Sequence, residues 1–313
     1  MVNIFSKLFS RRKTILILTS GKKTKLTPFK LSIRDLNIDL TTASFSDIYF
    51  DSGSSEMNIR GGANLAGFDV IYFRLVGKSL ETAALVAGYA KKNRVQIMDK
   101  IYANSQIFPI TQSKAQEMKA LADAGVSIPK TLFGSLLEIT KKAQVELGFP
   151  FVIKSTSGKK GREVYCPEDS KALKALIAQL LVEEKAGKSF FAQEFVNCTK
   201  RIRVLVVGGR IIGSISQLTK WRKRVSGYTP QEDEVKIQKF APNSEIEKLA
   251  LAAVSAVGID IAGVDILIDE TSGKNYVMNR NFVIEVNAAP SWKLIKKYCG
   301  VNVEYEILKY ISR

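Results

Sequence analysis

Residues 260–290 read DIAGVDILIDETSGKNYVMNRNFVIEVNAAP, and the fold turns on how they are interpreted. Two apolar runs, IAGVDILI and FVIEV, each carry an acid where a buried strand would carry another apolar residue. Asp265 stands in the first, and Glu285 in the second with Asn287 two positions on. Side chains alternate across a strand, so Glu285 and Asn287 share a face, roughly 7 Å apart along the backbone. If the two runs pair around the polar loop at 270–280, Asp265 joins them. Three oxygen donors on one wall, two of them charged, suit a hard cation. Magnesium takes few protein carboxylates and fills its shell with water and phosphate. A carboxylate in an apolar strand is costly without a partner. Asp265 taken alone favours a solvated strand end or a basic partner over a metal. The metal reading rests on the combination, because Glu-x-Asn closes an apolar strand that Ala-Ala-Pro stops at once.

The rest of the chain sets bounds on the chemistry. Its 313 residues allow two or three small domains or one composite domain, and 46% apolar with 25% charged residues is an ordinary globular composition. No apolar run reaches the roughly 20 residues of a membrane span. The N-terminal MVNIFSKLFSRRKTILILTS has charge before apolar residues, but TILIL is too short for a signal peptide and no cleavage site follows. Cys166, Cys198 and Cys299 are far apart and odd in number, so no disulfide frame or zinc site is expected and a cytoplasmic setting is. The chain has no histidine, which excludes His-based general base catalysis, Ser-His-Asp triads and His metal sites. A formal charge of +17 implies an anionic partner, with nucleotide, nucleic acid, ribosome and acidic peptide all open. Residues 1–34 contain no acid, and Lys220, Arg222, Lys223 and Arg224 cluster around Trp221.

Taken in order, strands are expected at 14–20, 45–50, 68–75 and 95–99 with a helix at 79–93, a small doubly wound sheet over the first hundred residues. LVGKS at 75–79 ends like a P-loop, but the first glycine of that motif would fall on Tyr72, so it fails. Helices are expected at 111–124, 136–146, 168–187 and 243–257, and near 291–299 and 302–312. Strands are expected at FPFVIKS, EVYC and FFAQEFV, in a hairpin 201–215 turning at Gly208-Gly209, and near 234–240.

Two upstream features bear on phosphate. The loop SGKKGR at 157–162 places Gly158 and Gly161 around Lys159 and Lys160, with Arg162 behind, so its backbone can approach an anion closely. A tight exposed hairpin is the commoner explanation of such a loop. Lys154 ends the apolar strand FPFVIK and would carry its ammonium toward whatever that loop covers, while Lys114, early in a helix, could reach the same group.

A helix lysine, a strand ending in lysine, a glycine-rich loop, QEFV, IRVLVVGG, AGVDIL and IEVNAAP follow one another in that order. Over about residues 110–312 the chain resembles the ATP-grasp superfamily, specifically its RimK-like glutamate-ligase branch. The resemblance implies an α/β (α+β) chain with an ATP-grasp fold behind an N-terminal, Rossmann-like pre-ATP-grasp domain. Its divisions would be 1–110, 111–195 carrying the glycine-rich lid, and 196–313 carrying the magnesium site. The activity implied is ATP-dependent ligation of a carboxylate to an amine through an acyl phosphate. ATP with one or two Mg2+ ions (Mn2+ as a substitute) is implied as cofactor. Lys114 and Lys154 would hold the ATP phosphates, with the 157–162 loop closing over the terminal one. Glu194, Phe195 and Val196 would meet the adenine, and Asp265, Glu285 and Asn287 would hold the metal. Arg203 would steady the acyl phosphate and the tetrahedral intermediate, and Arg222 falls where the family places an arginine for substrate or phosphate.

Two positions depart from that pattern. Arg201 stands where an acid commonly faces the ribose, and an arginine cannot accept the ribose hydroxyls. Arg224 stands where Arg-x-Asn usually continues, which suggests a more anionic acceptor. Partners expected are ATP, an anionic carboxylate substrate and an amine acceptor on a peptide, protein tail or small molecule; a homo-oligomer is left open. Two alternatives stand beside the ligase: a catalytically degenerate nucleotide- or nucleic-acid-binding protein, and a small-molecule kinase on the same fold.

Overall fold

Lys13–Thr19 (KTILILT) forms β1, and Ile15, Leu16, Ile17 and Leu18 are all fully buried. Burial on both faces is what a central strand of a parallel sheet requires. The structure, a computed structural model, describes residues 11–103, 113–157, 163–198, 200–218, 237–269 and 280–313. The chain divides into two compact units. The first comprises Met1–Thr111, Gly258–Ile261 and Asn302–Arg313, and the second Gln112–Val257 and Ala262–Val301.

In the first unit, β1 pairs in parallel with β2 (Ile38–Ser44) on one side and with β5 (Val70–Leu75) on the other. β5 in turn pairs in parallel with β6 (Gln96–Met98), which gives the order β2-β1-β5-β6. The helix Leu80–Lys92 packs its Ala83, Val86, Ala87 and Ala90 into the apolar cluster beneath the sheet. The second strand is not where the apolar run FSDIYF suggested. Phe45–Asp47 is a single 3-10 turn closed by a capping box between Ser44 and Asp47, and Ile48–Asp51 (β3) leaves the sheet to form a hairpin with Glu56–Ile59 (β4). IDLTTAS takes the sheet position instead. It is an edge strand with only Ile38 and Ala43 buried, chosen by backbone pairing to β1 and not by hydrophobicity. Residues 258–261 and the helix Val303–Ile311, though late in the chain, belong to this unit: Asp99 accepts hydrogen bonds from the backbone N–H of Asp260 (2.8 Å) and Ile261 (3.0 Å).

The second unit holds two sheets. One runs β7 (Thr131–Phe133), β10 (Phe190–Glu194), β8 (Phe151–Ser155), β9 (Val164–Tyr165), antiparallel throughout. The helices Leu136–Glu146 and Ser170–Lys185 bury Leu136, Ile139, Ala143, Leu173 and Leu180 against it. The other runs β13 (Gln238–Lys239), β12 (Arg210–Leu218), β11 (Lys200–Val207), β14 (Ile261–Ile268), β15 (Asn281–Asn287). β11 and β12 form the expected hairpin. Gly208 and Gly209 both take positive φ, 56° and 72°, as a tight turn matched to strand twist demands. The helix Lys114–Asp123, hereafter α1, opens this unit.

Candidate active site

β14 and β15 pair antiparallel, with Asp265 directly opposite Glu285 and Gly263 opposite Asn287. Opposed residues of such a pair share a face, and so do residues two apart, which puts Asp265, Glu285 and Asn287 on one wall. Gly263 is required there: a Cβ at that position would lie 2.8 Å from Cβ of Pro290, where the chain folds back after the strand. The Oδ1 of Asn287 accepts the Ala289 N–H at 3.0 Å and holds that turn.

The two acids have different surroundings. Asp265 is 1% exposed and faces two arginines of β11. Arg203 donates to both of its oxygens from Nε and Nη2, each at 2.7 Å, and Nη1 of Arg201 lies 3.2 Å from Oδ2. Arg201 and Arg203 are two apart on their strand and so present one face to it. The carboxylate of Glu285 forms no hydrogen bond or ion pair with any described residue and is only partly buried.

β15 is the outer strand of its sheet, and its outward N–H groups are met by neighbouring chain. Val283 donates to the Ser127 carbonyl at 2.9 Å, and Val286 donates to Oε1 of Glu117 at 2.7 Å. Glu117 thus ties α1 to the backbone between Glu285 and Asn287. Burial pushes its carboxyl up to about 8; the bond from Val286 opposes the shift and the charge of Glu285 adds to it. Lys114 opens the same helix, one turn before Glu117. A capping box between Ser113 and Gln116 fixes that turn, with the Ser113 N–H donating to Oε1 of Gln116 at 2.9 Å.

Lys154 stands on β8 between fully or almost fully buried neighbours, Ile153 and Ser155. Burial pushes its ammonium down to about 8, the nearby Lys114 pushes the same way, and Glu285 and Glu117 pull back. Lys114, Lys154, Glu117, Glu285 and Asp265 therefore act on one another within a single electrostatic cluster. A desolvated Lys154 ammonium with Lys114 nearby favours an anion beside it.

The remaining expected residues sort simply. Val196 is buried with Cys198, Leu267 and Phe282 in an apolar cluster against which Ile284 packs. Phe195 lies between it and Glu194, whose N–H donates to the Lys130 carbonyl at 2.8 Å and whose side chain accepts from the Lys130 N–H at 3.1 Å. Arg201, which the resemblance sets where an acid would face the ribose, lies against Asp265. Gly158, Lys159, Lys160 and Gly161 of the glycine-rich loop, and Arg222 and Arg224 of the basic loop, lie outside the described residues.

Two participants were not singled out from the sequence. Glu117 carried a usable signal, since it lies three residues after Lys114 and so on the same helix face. Gln193, which accepts a hydrogen bond from Lys154 Nζ, sat in plain view inside QEFV as the one polar residue of the run FFAQ.

The donors present fit magnesium. No three acids, histidines or cysteines among the described residues converge on one point, so the wall supplies two carboxylates and an amide oxygen and leaves the rest of the shell to water and phosphate. Two carboxylates opposed at closest strand register repel each other, and Glu285 has no cation in contact among the described residues. A carboxylate offers about four lone-pair sites, and the two arginines occupy three on Asp265.

Residues 111–311 match the family model of the RimK-like ATP-grasp domain, so the chain belongs to that family. Among its relatives is a probable alpha-L-glutamate ligase of Syntrophotalea carbinolica, 27% identical over 80% of this chain and 79% of that protein. Another of the same name, from Haemophilus influenzae, is 24% identical over 67% of this chain and 65% of its own length. The structure of the ATP-grasp ligase PsnB, solved with a phosphomimetic variant of a minimal precursor, magnesium and ADP, superposes with a TM-score of 0.67. It is 14% identical, over 96% of this chain and 98% of that one.

Proposed function

We propose that this protein is an ATP- and magnesium-dependent carboxylate–amine ligase that adds a glutamate-like amino acid to a peptide, a protein tail or a small acid. The observation that carries the proposal is the pairing of Asp265 with Glu285 on one wall, with Asn287 beside them and Lys114 and Lys154 in the same electrostatic cluster. The relatives named glutamate ligases support the amino-acid substrate, and PsnB with its precursor supports a peptide-like partner.

Each group has work that its placement suits. Lys154 and Lys114 hold the β- and γ-phosphates of ATP, and the apolar cluster around Val196 receives the adenine. Asp265, Glu285 and Asn287 would hold magnesium, which neutralises the triphosphate and keeps its terminal phosphoryl group electrophilic. A substrate carboxylate then attacks the γ-phosphorus in line and ADP leaves. The amine attacks the acyl phosphate formed, and phosphate departs as the amide closes. Arg203 spends Nε and Nη2 on Asp265, so its Nη1 donors remain for the acyl phosphate and the oxyanion. No histidine is needed, because the activated acyl group replaces a protein nucleophile.

Hydroxylamine trapping tests this directly. With ATP, magnesium and a panel of amino acids and acidic peptides, a hydroxamate should form together with ADP. ADP released with a phosphorylated alcohol and no hydroxamate would make the protein a kinase. ADP release at background with every acceptor would leave a binding protein.

A further inference from the structure

We propose that Gln193 is a positioning residue for Lys154: its buried amide aims the ammonium at the phosphates without cancelling its charge. The inference rests on the reading of Lys154 as a phosphate ligand. Gln193 is 2% exposed on the central strand β10, between Ala192, which is fully buried, and Glu194. A buried amide must have its hydrogen bonds met, and here they run in one direction across three strands. Lys154 Nζ donates to Oε1 of Gln193 from β8. Nε2 of Gln193 donates to the Thr131 hydroxyl at 2.9 Å, directly opposite on β7, and that hydroxyl donates to the Pro129 carbonyl at 2.7 Å. The chain begins at a flexible side chain and ends on fixed backbone. Nε2 also lies 3.8 Å from Sδ of Met118, on the helix that carries Lys114.

The choice of glutamine has a physical reason. A lysine has a long, freely rotating stem, and a buried ammonium without an acceptor would shed its proton. A carboxylate at position 193 would hold it more tightly but neutralise the charge a phosphate needs. A neutral carbonyl acceptor fixes the direction and leaves the full positive charge to the ligand. Phe191, opposite Lys154 in register, sets its ring centroid 5.9 Å from Nζ and closes another side of the pocket.

The test is a double-mutant cycle on the full chain. It reads affinity for adenosine 5′-(β,γ-imido)triphosphate with magnesium by titration calorimetry, with thermal melting alongside. Gln193→Met keeps the volume and removes both amide ends, Lys154→Met removes the ammonium, and Thr131→Val breaks the next link. Gln193→Met should weaken binding roughly tenfold, as loss of a hydrogen bond to a charged group does. In the Lys154→Met background it should weaken binding no further, and Thr131→Val should act in the same direction by roughly two- to threefold. Losses that add independently, or a Gln193→Met protein that binds as well as the parent while Lys154→Met does not, would overturn the inference. Unchanged binding by Lys154→Met itself would instead remove Lys154 as a phosphate ligand, and the inference with it. Should Gln193→Met fail to fold, the same cycle with Thr131→Val decides: loss that vanishes in the Lys154→Met background supports the relay, and independent loss or none overturns it.

Discussion

Asp99 and Asp265 are the same residue type at the same depth, 0% and 1% exposed, yet the protein uses them in opposite ways. Asp99 in the first unit is met by two uncharged donors, the N–H groups of Asp260 and Ile261, and burial pushes its carboxyl up to about 7. Asp265 in the second unit is met by two guanidiniums and stands opposite another acid. Backbone dipoles place a carboxyl group but only partly offset the loss of water around its charge, so Asp99 acts as a strut that can hold a proton. Two arginines carry some ten N–H donors between them, more than one carboxylate can accept. Burial alone therefore says little about an acid's role; its partners decide.

The difference can be broken by substitution. Glu285→Gln, which disturbs no ion pair among the described residues, should reduce magnesium-dependent ADP release by at least about a thousandfold with little change in melting temperature. Asp265→Asn should do the same to turnover. It should also cost on the order of 3 kcal/mol of stability in denaturant titrations, because Arg203 and Arg201 lose their shared partner in a poorly solvated place. Asp99→Asn should leave ADP release within a few-fold of the parent. An equal collapse there would erase the contrast.

Smaller effects sharpen it. Arg203→Lys keeps a positive charge but not the two-pronged contact, and should lower turnover roughly a hundredfold with nucleotide affinity little changed. The pH dependence of stability separates the two acids in another way. Between the ordinary carboxylate value and about 7, folded Asp99 keeps a proton that the unfolded chain has released, so its contribution favours folding at low pH and fades as pH rises through about 7. Urea titrations at several pH values should give a slope across this window that is flatter in Asp99→Asn than in the parent. Arg201→Gln should have the smallest consequence, a few-fold loss of turnover, since its single contact with Asp265 is the longer one.

Much of this was legible from the chain, and the misses have specific causes. Acids interrupting apolar runs located β14 and β15, because a buried charge is expensive enough to need a purpose. Gly208-Gly209 marked a hairpin for a steric reason that holds in any context. β2 was passed over because an edge strand buries few side chains and is held by pairing to β1, which no local pattern records. Glu117 and Gln193 were missed because their roles depend on Val286 and Lys154, which are 169 and 39 residues away along the chain.

Residue order was enough to locate the strands that bear the acids and to exclude histidine chemistry, which follow from periodicity and composition and are local. The class of fold was implied by the resemblance of the ordered motifs to the ATP-grasp superfamily. The clamp of Arg201 and Arg203 on Asp265, the bond from the Val286 N–H of β15 to Glu117, and the membership of Val303–Ile311 in the first unit came from the folded chain. Each is a meeting of side chains or segments distant in sequence, and such meetings are chosen by packing and by the satisfaction of buried polar groups, which act only once the chain has closed on itself.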